Sequence, residues 1–143
     1  MQLFFGQRRI GADDLRSLLV IQMTPTGAVR LLKATEQLTP HSLDELVQQG
    51  MIKAERSKPI TTEPAQTVAM AAGFCLFAAS RDEVTMDFYQ ASVFAQSALP
   101  HTKKLAVDPV VRIDMRTSLL IGLIEDLRKL PDLPHMTSPE LPK

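Results

Sequence analysis

The sequence predicts an all-α protein: a single compact bundle of five or six helices, with a short extended N-terminal arm and a proline-rich C-terminal tail. Two observations predict it. Pro25, Pro40, Pro64 and Pro109 stand directly after Thr24, Thr39, Glu63 and Asp108. Three of these pairs read as an N-cap residue followed by proline at the first helical position, where the missing N–H has no intrahelical partner and the fixed φ is already helical. The stretches that follow carry Leu, Val, Ile and Ala at helical spacing. A chain of 143 residues with 45% hydrophobic content suits one core. Residues 1–130 therefore read as one helical domain and residues 131–143, with four prolines, as a flexible tail.

Each element follows from local signals. Gln2–Phe5 reads as a short strand or an apolar arm closed by Gly6. Gly11–Gln22 reads as a first helix, with Asp13 and Asp14 in the turn that the helix dipole favours and Leu15, Leu18 and Leu19 as its apolar face. Thr24-Pro25 opens a helix to about Gln37. Thr39-Pro40 opens a short one with Leu43, Leu46 and Val47 inward and Gly50 as its left-handed stop. Met51–Arg56 is a short strand or an extended exit, and Ser57–Thr62 a loop. Pro64–Ala79, rich in alanine and apolar nearly all round, reads as a buried helix, with Gly73 marking a close crossing. Ser80 and Glu83 match a capping box and predict a helix from Arg81 to Ala98, ended by Pro100. Asp108-Pro109 then opens a last helix to Leu130.

The bulk properties narrow the function. Net charge is 0, which removes the simplest argument for nucleic acid. The charge is mildly uneven: residues 1–60 carry eight Lys or Arg against six Asp or Glu, residues 61–100 one against four, and residues 101–130 six against four. Cys75 is the only cysteine, so no internal disulfide forms; this fits a cytoplasmic location. The N-terminal charges follow the apolar residues, the reverse of a secretory signal, and the longest apolar block, Val68–Ala79, is too short to span a bilayer. No membrane partner is expected.

Catalytic motifs are missing from the sequence. His41, His101 and His135 have no metal-ligand spacing to one another or to Cys75, and no phosphate loop or nucleophile elbow occurs. Asp82-Glu83 and Glu125-Asp126 read as capping and solvated-face acids. Cys75, flanked by Phe74, Leu76 and Phe77, reads as a buried inert thiol. We therefore expect a non-enzymatic protein with no metal and no cofactor.

The stretch 28–58 reads as two short helices with a basic exit, compatible with half of a helix-turn-helix. Asp44 and Glu45 on the second helix would be repelled by phosphate, so an ordinary helical hairpin is the simpler reading. Val29-Arg30-Leu31-Leu32, Gln37-Leu38-Thr39, Leu43, Leu46 and Met51-Ile52 up to Arg56 resemble the D subunit of the flagellar master transcriptional activator (FlhD-like proteins), and Gln66…Ala69…Ala72 is similar to its next helix. The resemblance covers about a third of the chain. It implies an all-α bacterial protein that dimerises and joins a second subunit on promoter DNA.

Two sets of candidate residues follow. Arg8, Arg9, Lys53, Arg56 and Lys58, with Lys103-Lys104 beyond them, would face DNA phosphates if they converge. Phe4, Phe5, Leu119, Leu123 and Leu130 would bind a partner, through an apolar arm and a helix apolar over more than half its circumference. The first functional expectation is a transcriptional regulator acting at duplex DNA as a homodimer or with a partner protein. The alternative is an adaptor or chaperone-like module of a secretion, conjugation or phage assembly, without nucleic acid.

Overall fold

Strands occupy much of the chain that the sequence assigns to helices. The computed structural model describes residues 1–8, 11, 15–36, 43–50, 52–56, 60–61 and 67–130. Among these the elements run β1 (Gln2–Arg8), β2 (Leu15–Gln22), α1 (Pro25–Glu36), α2 (Leu43–Gln48), β3 (Ile60–Thr61), β4 (Val68–Ala71), β5 (Phe74–Ala79), β6 (Glu83–Gln90), α3 (Val93–Thr102), β7 (Asp108–Arg116) and α4 (Thr117–Arg128). The fold is mixed α/β with two sheets, not an all-α bundle of five or six helices.

In the first sheet β1 and β2 form an antiparallel hairpin, from Gln2 opposite Gln22 to Arg8 opposite Leu15, with a register shift between Phe5 and Gly6. β3 and β4 pair in parallel with the other edge of β2, one after the other: Leu15 with Ile60, then Leu19–Gln22 with Val68–Ala71. The second sheet is an antiparallel meander in the order β5-β6-β7. The chain passes from one sheet to the other at Ala72-Gly73. The Ala72 amide donates to the Gln22 carbonyl at 3.0 Å and the Gly73 amide to the Tyr89 carbonyl at 3.0 Å, so consecutive residues hold the two sheets at a corner. The inner faces meet where Phe5 and Phe88 stack edge to face, ring centroids 6.0 Å apart.

The strands β6 and β7 follow from a two-residue period. Val84, Met86 and Phe88 are buried while Thr85, Asp87 and Tyr89 are only half-buried; Ile113 and Met115 turn in while Arg112, Asp114 and Arg116 are exposed. This overturns the helix read over Arg81–Ala98, of which only the part from Val93 onward is helical, as α3, and the helix start read at Asp108. Pro109 opens a strand, which it can do at the start of an edge strand where its missing N–H breaks no ladder. Helix α4 begins only at Thr117, buried, with its hydroxyl donating to the Ser80 carbonyl at 3.0 Å. Ser80 and Glu83 do bond as a cap would, Glu83 N–H to Ser80 Oγ at 3.1 Å. The Ser80 amide also donates to the Glu83 carbonyl at 2.8 Å, so the pair closes the β5–β6 hairpin rather than opening a helix.

The helix read over Gly11–Gln22 is β2. Leu18, Leu19, Val20 and Ile21 follow one another as an unbroken apolar run, with Val20 and Ile21 buried and Leu18 exposed, so the strand shows no alternation of residue type to separate it from a buried helix. The buried helix read over Pro64–Ala79, which includes the Gln66–Ala72 segment of the flagellar resemblance, is β4, the corner and β5. Alanine favours helix only weakly, and strand pairing overrides it here. Pro100 lies inside α3 instead of ending the helix.

Other expectations stand. Helix α1 starts at Pro25, and the Thr24 hydroxyl accepts from the Gly27 amide at 3.1 Å. Helix α2 ends at Gln48, and Gly50 has φ 68°. The Thr39-Pro40 start and the tail 131–143 lie outside the described residues. Ala28, Val29 and Leu31 of α1 and Leu120, Ile121, Ile124 and Leu127 of α4 join Ile21, Val84, Met86 and Phe88 in one core. Each such side chain contributes roughly 1.5–3 kcal/mol by leaving water.

Candidate binding groove

Four elements and one irregular segment surround a groove of about 700 Å³. β1 supplies Leu3, Phe4, Phe5, Gly6 and Arg8; β7 supplies Met115 and Arg116; α4 supplies Leu119, Gly122, Leu123 and Asp126; Glu55 and Arg56 come from the segment between α2 and β3. Leu15 of β2 completes the wall. The β1 residues are consecutive, although neighbours on a strand point to opposite faces. The strand therefore turns its edge to the groove. β1 and β7 are the outer strands of their sheets, so two sheet edges border the same opening.

The segment 52–56 lies tight against α4. Ile52 is buried. The Glu55 amide donates to the Ser118 carbonyl at 2.9 Å, and the Glu55 carboxylate accepts from Ser118 Oγ at 2.8 Å and Arg116 Nη2 at 2.6 Å. Gly122 makes the approach possible: a Cβ there would overlap the Glu55 carbonyl oxygen and lie 3.1 Å from its carbon. Arg56 bonds to Glu125 at 3.2 Å and to Asp126, and Lys129 reaches Asp126 at 3.7 Å. The floor is apolar and the rim carries paired charges of both signs.

The two candidate sets meet here. Arg8 and Arg56 from the phosphate-facing set, and Phe4, Phe5, Leu119 and Leu123 from the partner-facing set, all line the groove. Phe4 is exposed, while Phe5 and Leu123 also pack on the core. Lys53 is exposed beside Arg56 but outside the lining, and Leu130 is exposed beyond the end of α4. Arg9 and Lys58 lie outside the described residues. Arg56 is held by the carboxylates of α4, so its charge is locally balanced. The sequence reading placed Leu3 in the apolar arm and missed Gly6, Glu55, Met115, Arg116 and Gly122. The alternation Arg112, Asp114, Arg116 against Ile113 and Met115 was the signal for two of these, and a lone glycine inside an apolar helix was the signal for Gly122.

Cys75 is buried, and burial with the nearby Asp87 charge pushes its thiol up to about 12, as an inert core thiol requires. On the outer face of the second sheet Arg112 grips Asp87 with two hydrogen bonds of 2.7 and 2.8 Å, which hold that carboxyl below its usual range. Among the described residues no group of three or more His, Cys, Asp or Glu gathers as metal ligands, and no helix is long and apolar enough to cross a membrane. No family model, curated protein or solved structure matches the chain.

Proposed function

We propose that the protein is a non-catalytic adaptor that holds an extended segment of a partner protein in the groove between β1, β7 and α4. One observation carries this reading: the Leu3–Gly6 run presents a strand edge to an apolar groove. An added strand would take main-chain hydrogen bonds from that edge and place alternate side chains on the apolar floor of Phe4, Leu119 and Leu123. The rim charges of Arg56, Glu125, Glu55 and Arg116 engage one another, which suits a polar rim around an apolar core more than a reacting centre. The same pairs weaken the regulator reading, since an arginine held by two carboxylates adds little field for DNA phosphates.

The test is selection from a library of extended peptides, followed by affinity measurement on variants. Phe4→Ser and Leu119→Ser should each weaken the selected peptides about tenfold, the effect of removing one well-buried apolar anchor. Leu76→Ser, on the exposed outer face of the second sheet, should change nothing. Peptides that bind both groove variants unchanged would refute the site. A salt-sensitive gel shift of duplex DNA, lost in Lys53→Ala with Arg56→Ala, would replace the adaptor reading with the regulator one.

A further inference from the structure

Helix α3 has no buried residue, although its sequence Val93-Phe94-Ala95-Gln96-Ser97-Ala98-Leu99-Pro100 is mostly apolar. Phe94 is 88% exposed and Val93 76%. The apolar side chains do not form one stripe. At 100° per residue the half-buried Ala95, Ala98 and Leu99 fall on one side, and the exposed side carries Val93, Phe94 and Pro100 among Gln96, Ser97 and His101. A helix that docks in a protein groove shows anchors on one face, at i, i+3, i+4 and i+7. The exposed side of α3 lacks that pattern, since Gln96 and Ser97 stand at i+3 and i+4 from Val93.

Charge supplies the second, independent observation. From residue 88 to residue 107 there is no Asp or Glu, while Lys103 and Lys104 follow α3 and are exposed. Lys103 closes the helix at φ 54°, in the left-handed region where glycine is the relaxed residue, and its amide donates to the Leu99 carbonyl at 2.8 Å. A lysine thus stands where the backbone favours glycine. Thr102 Oγ1 bonds both the Ala98 and the Lys104 carbonyl, at 3.1 and 2.9 Å, fixing the turn that presents the two cations.

We infer that the β6–β7 connection docks on an anionic phospholipid surface, with Val93 and Phe94 in the acyl boundary and Lys103 and Lys104 at the headgroups. Lipid tails take up a pair of adjacent exposed apolar side chains such as Val93 and Phe94 without the spaced pockets that a shaped protein groove requires. The like charge on every copy disfavours face-to-face pairing of two α3 helices. Among the described residues no helix is long and apolar enough to cross a membrane, but a surface contact asks only for a few exposed apolar side chains and a matching charge. The groove is a separate feature, and its proposed occupant plays no part here.

Vesicle flotation tests the inference, using phosphatidylcholine with and without phosphatidylglycerol. The protein should float with the phosphatidylglycerol vesicles at low salt, less at high salt, and stay behind with phosphatidylcholine alone. Lys103→Gln and Lys104→Gln should weaken binding roughly fivefold each, and Phe94→Ser about tenfold or more. These residues are exposed, and an unchanged Tm checks that each variant folds. Absence of binding to phosphatidylglycerol vesicles at low salt, or unchanged binding by Phe94→Ser, overturns the inference. So does a stable dimer, seen by light scattering, that Phe94→Ser dissociates.

Discussion

Replacing Gly122 with alanine sets two effects against each other. In a helix interior alanine is better than glycine by about 1 kcal/mol, so on propensity alone the change stabilises. The new methyl would overlap the Glu55 carbonyl oxygen, which is backbone and cannot rotate aside. Either α4 or the segment 52–56 must shift. Overpacking of this kind costs about 1–3 kcal/mol. A shift also loosens the Glu55 amide bond to Ser118, worth roughly 1 kcal/mol, and the carboxylate contacts to Ser118 and Arg116. The clash wins: Gly122→Ala should lose about 1–3 kcal/mol, or about 3–10 °C in Tm for a chain of this size. Gly27→Ala in α1 is the control. The nearest atoms to its new methyl are Met23 Cε and Thr24 Oγ1 at 3.4 Å and the Gly73 carbonyl at 3.5 Å, so it should be neutral or gain up to about 1 kcal/mol. Thermal and urea unfolding followed by circular dichroism measure both. Gly122→Ala with a Tm equal to or above the parent's would refute the close approach of the 52–56 segment, and with it the groove's wall.

Cys75 should react slowly with a water-soluble alkylating reagent in the native protein and fast in urea, measured by mass spectrometry. Its thiol rises from an ordinary 9.0 to about 12, so the stability it contributes is intact below pH 9 and falls as pH climbs toward 12, by about 1.4 kcal/mol per unit; Cys75→Ala should flatten that slope in urea titrations. Asp87 is lowered by Arg112, so its contribution is present above the ordinary carboxylate pKa and fades as pH falls; Asp87→Asn should remove that acid-side dependence of Tm, with a small loss at neutral pH that vanishes at low pH. Arg56→Ala should change stability by less than about 1 kcal/mol, because its partners are exposed, and the effect should shrink further in high salt. Lys103→Gly should raise stability by about 1 kcal/mol, by relieving the left-handed backbone, while weakening vesicle binding.

The legible parts of the sequence were those where one residue has one physical use. Thr24-Pro25 can hardly be anything but a helix start, and Gly50 a left-handed stop; both are found. Proline after Asp108 was ambiguous, because an edge strand accepts it as readily as a helix N-terminus does. The alternation through Val84, Met86 and Phe88 was written in the chain and masked by the Ser80–Glu83 pair, which has the same hydrogen bond in a hairpin turn as in a capping box. β2 offered no period to read, since Leu18, Leu19, Val20 and Ile21 are apolar in succession whichever way they point. Phe4, Phe5, Leu119 and Leu123 stood out in the sequence for apolar character near the surface, and all four line the groove. Their convergence with Arg8 and Arg56 depends on sheet pairing between distant segments, which local patterns do not encode.

The order of strands also sets the order of assembly. β5 and β6 pair across a tight turn and β6 and β7 across α3, each with its chain neighbour in the sheet. β2 cannot complete its second edge until Val68–Ala71 arrives, so Leu19 waits for Val68 across α1, α2 and everything between. Closing so long a span delays the parallel ladder, because the chain gives up its freedom before the contacts return anything. The meander is thus the early half of the molecule. On a growing chain the stretch of β2 that takes Val68–Ala71 stays bare until that strand has been made, which is the interval in which a mispaired or swapped strand could enter.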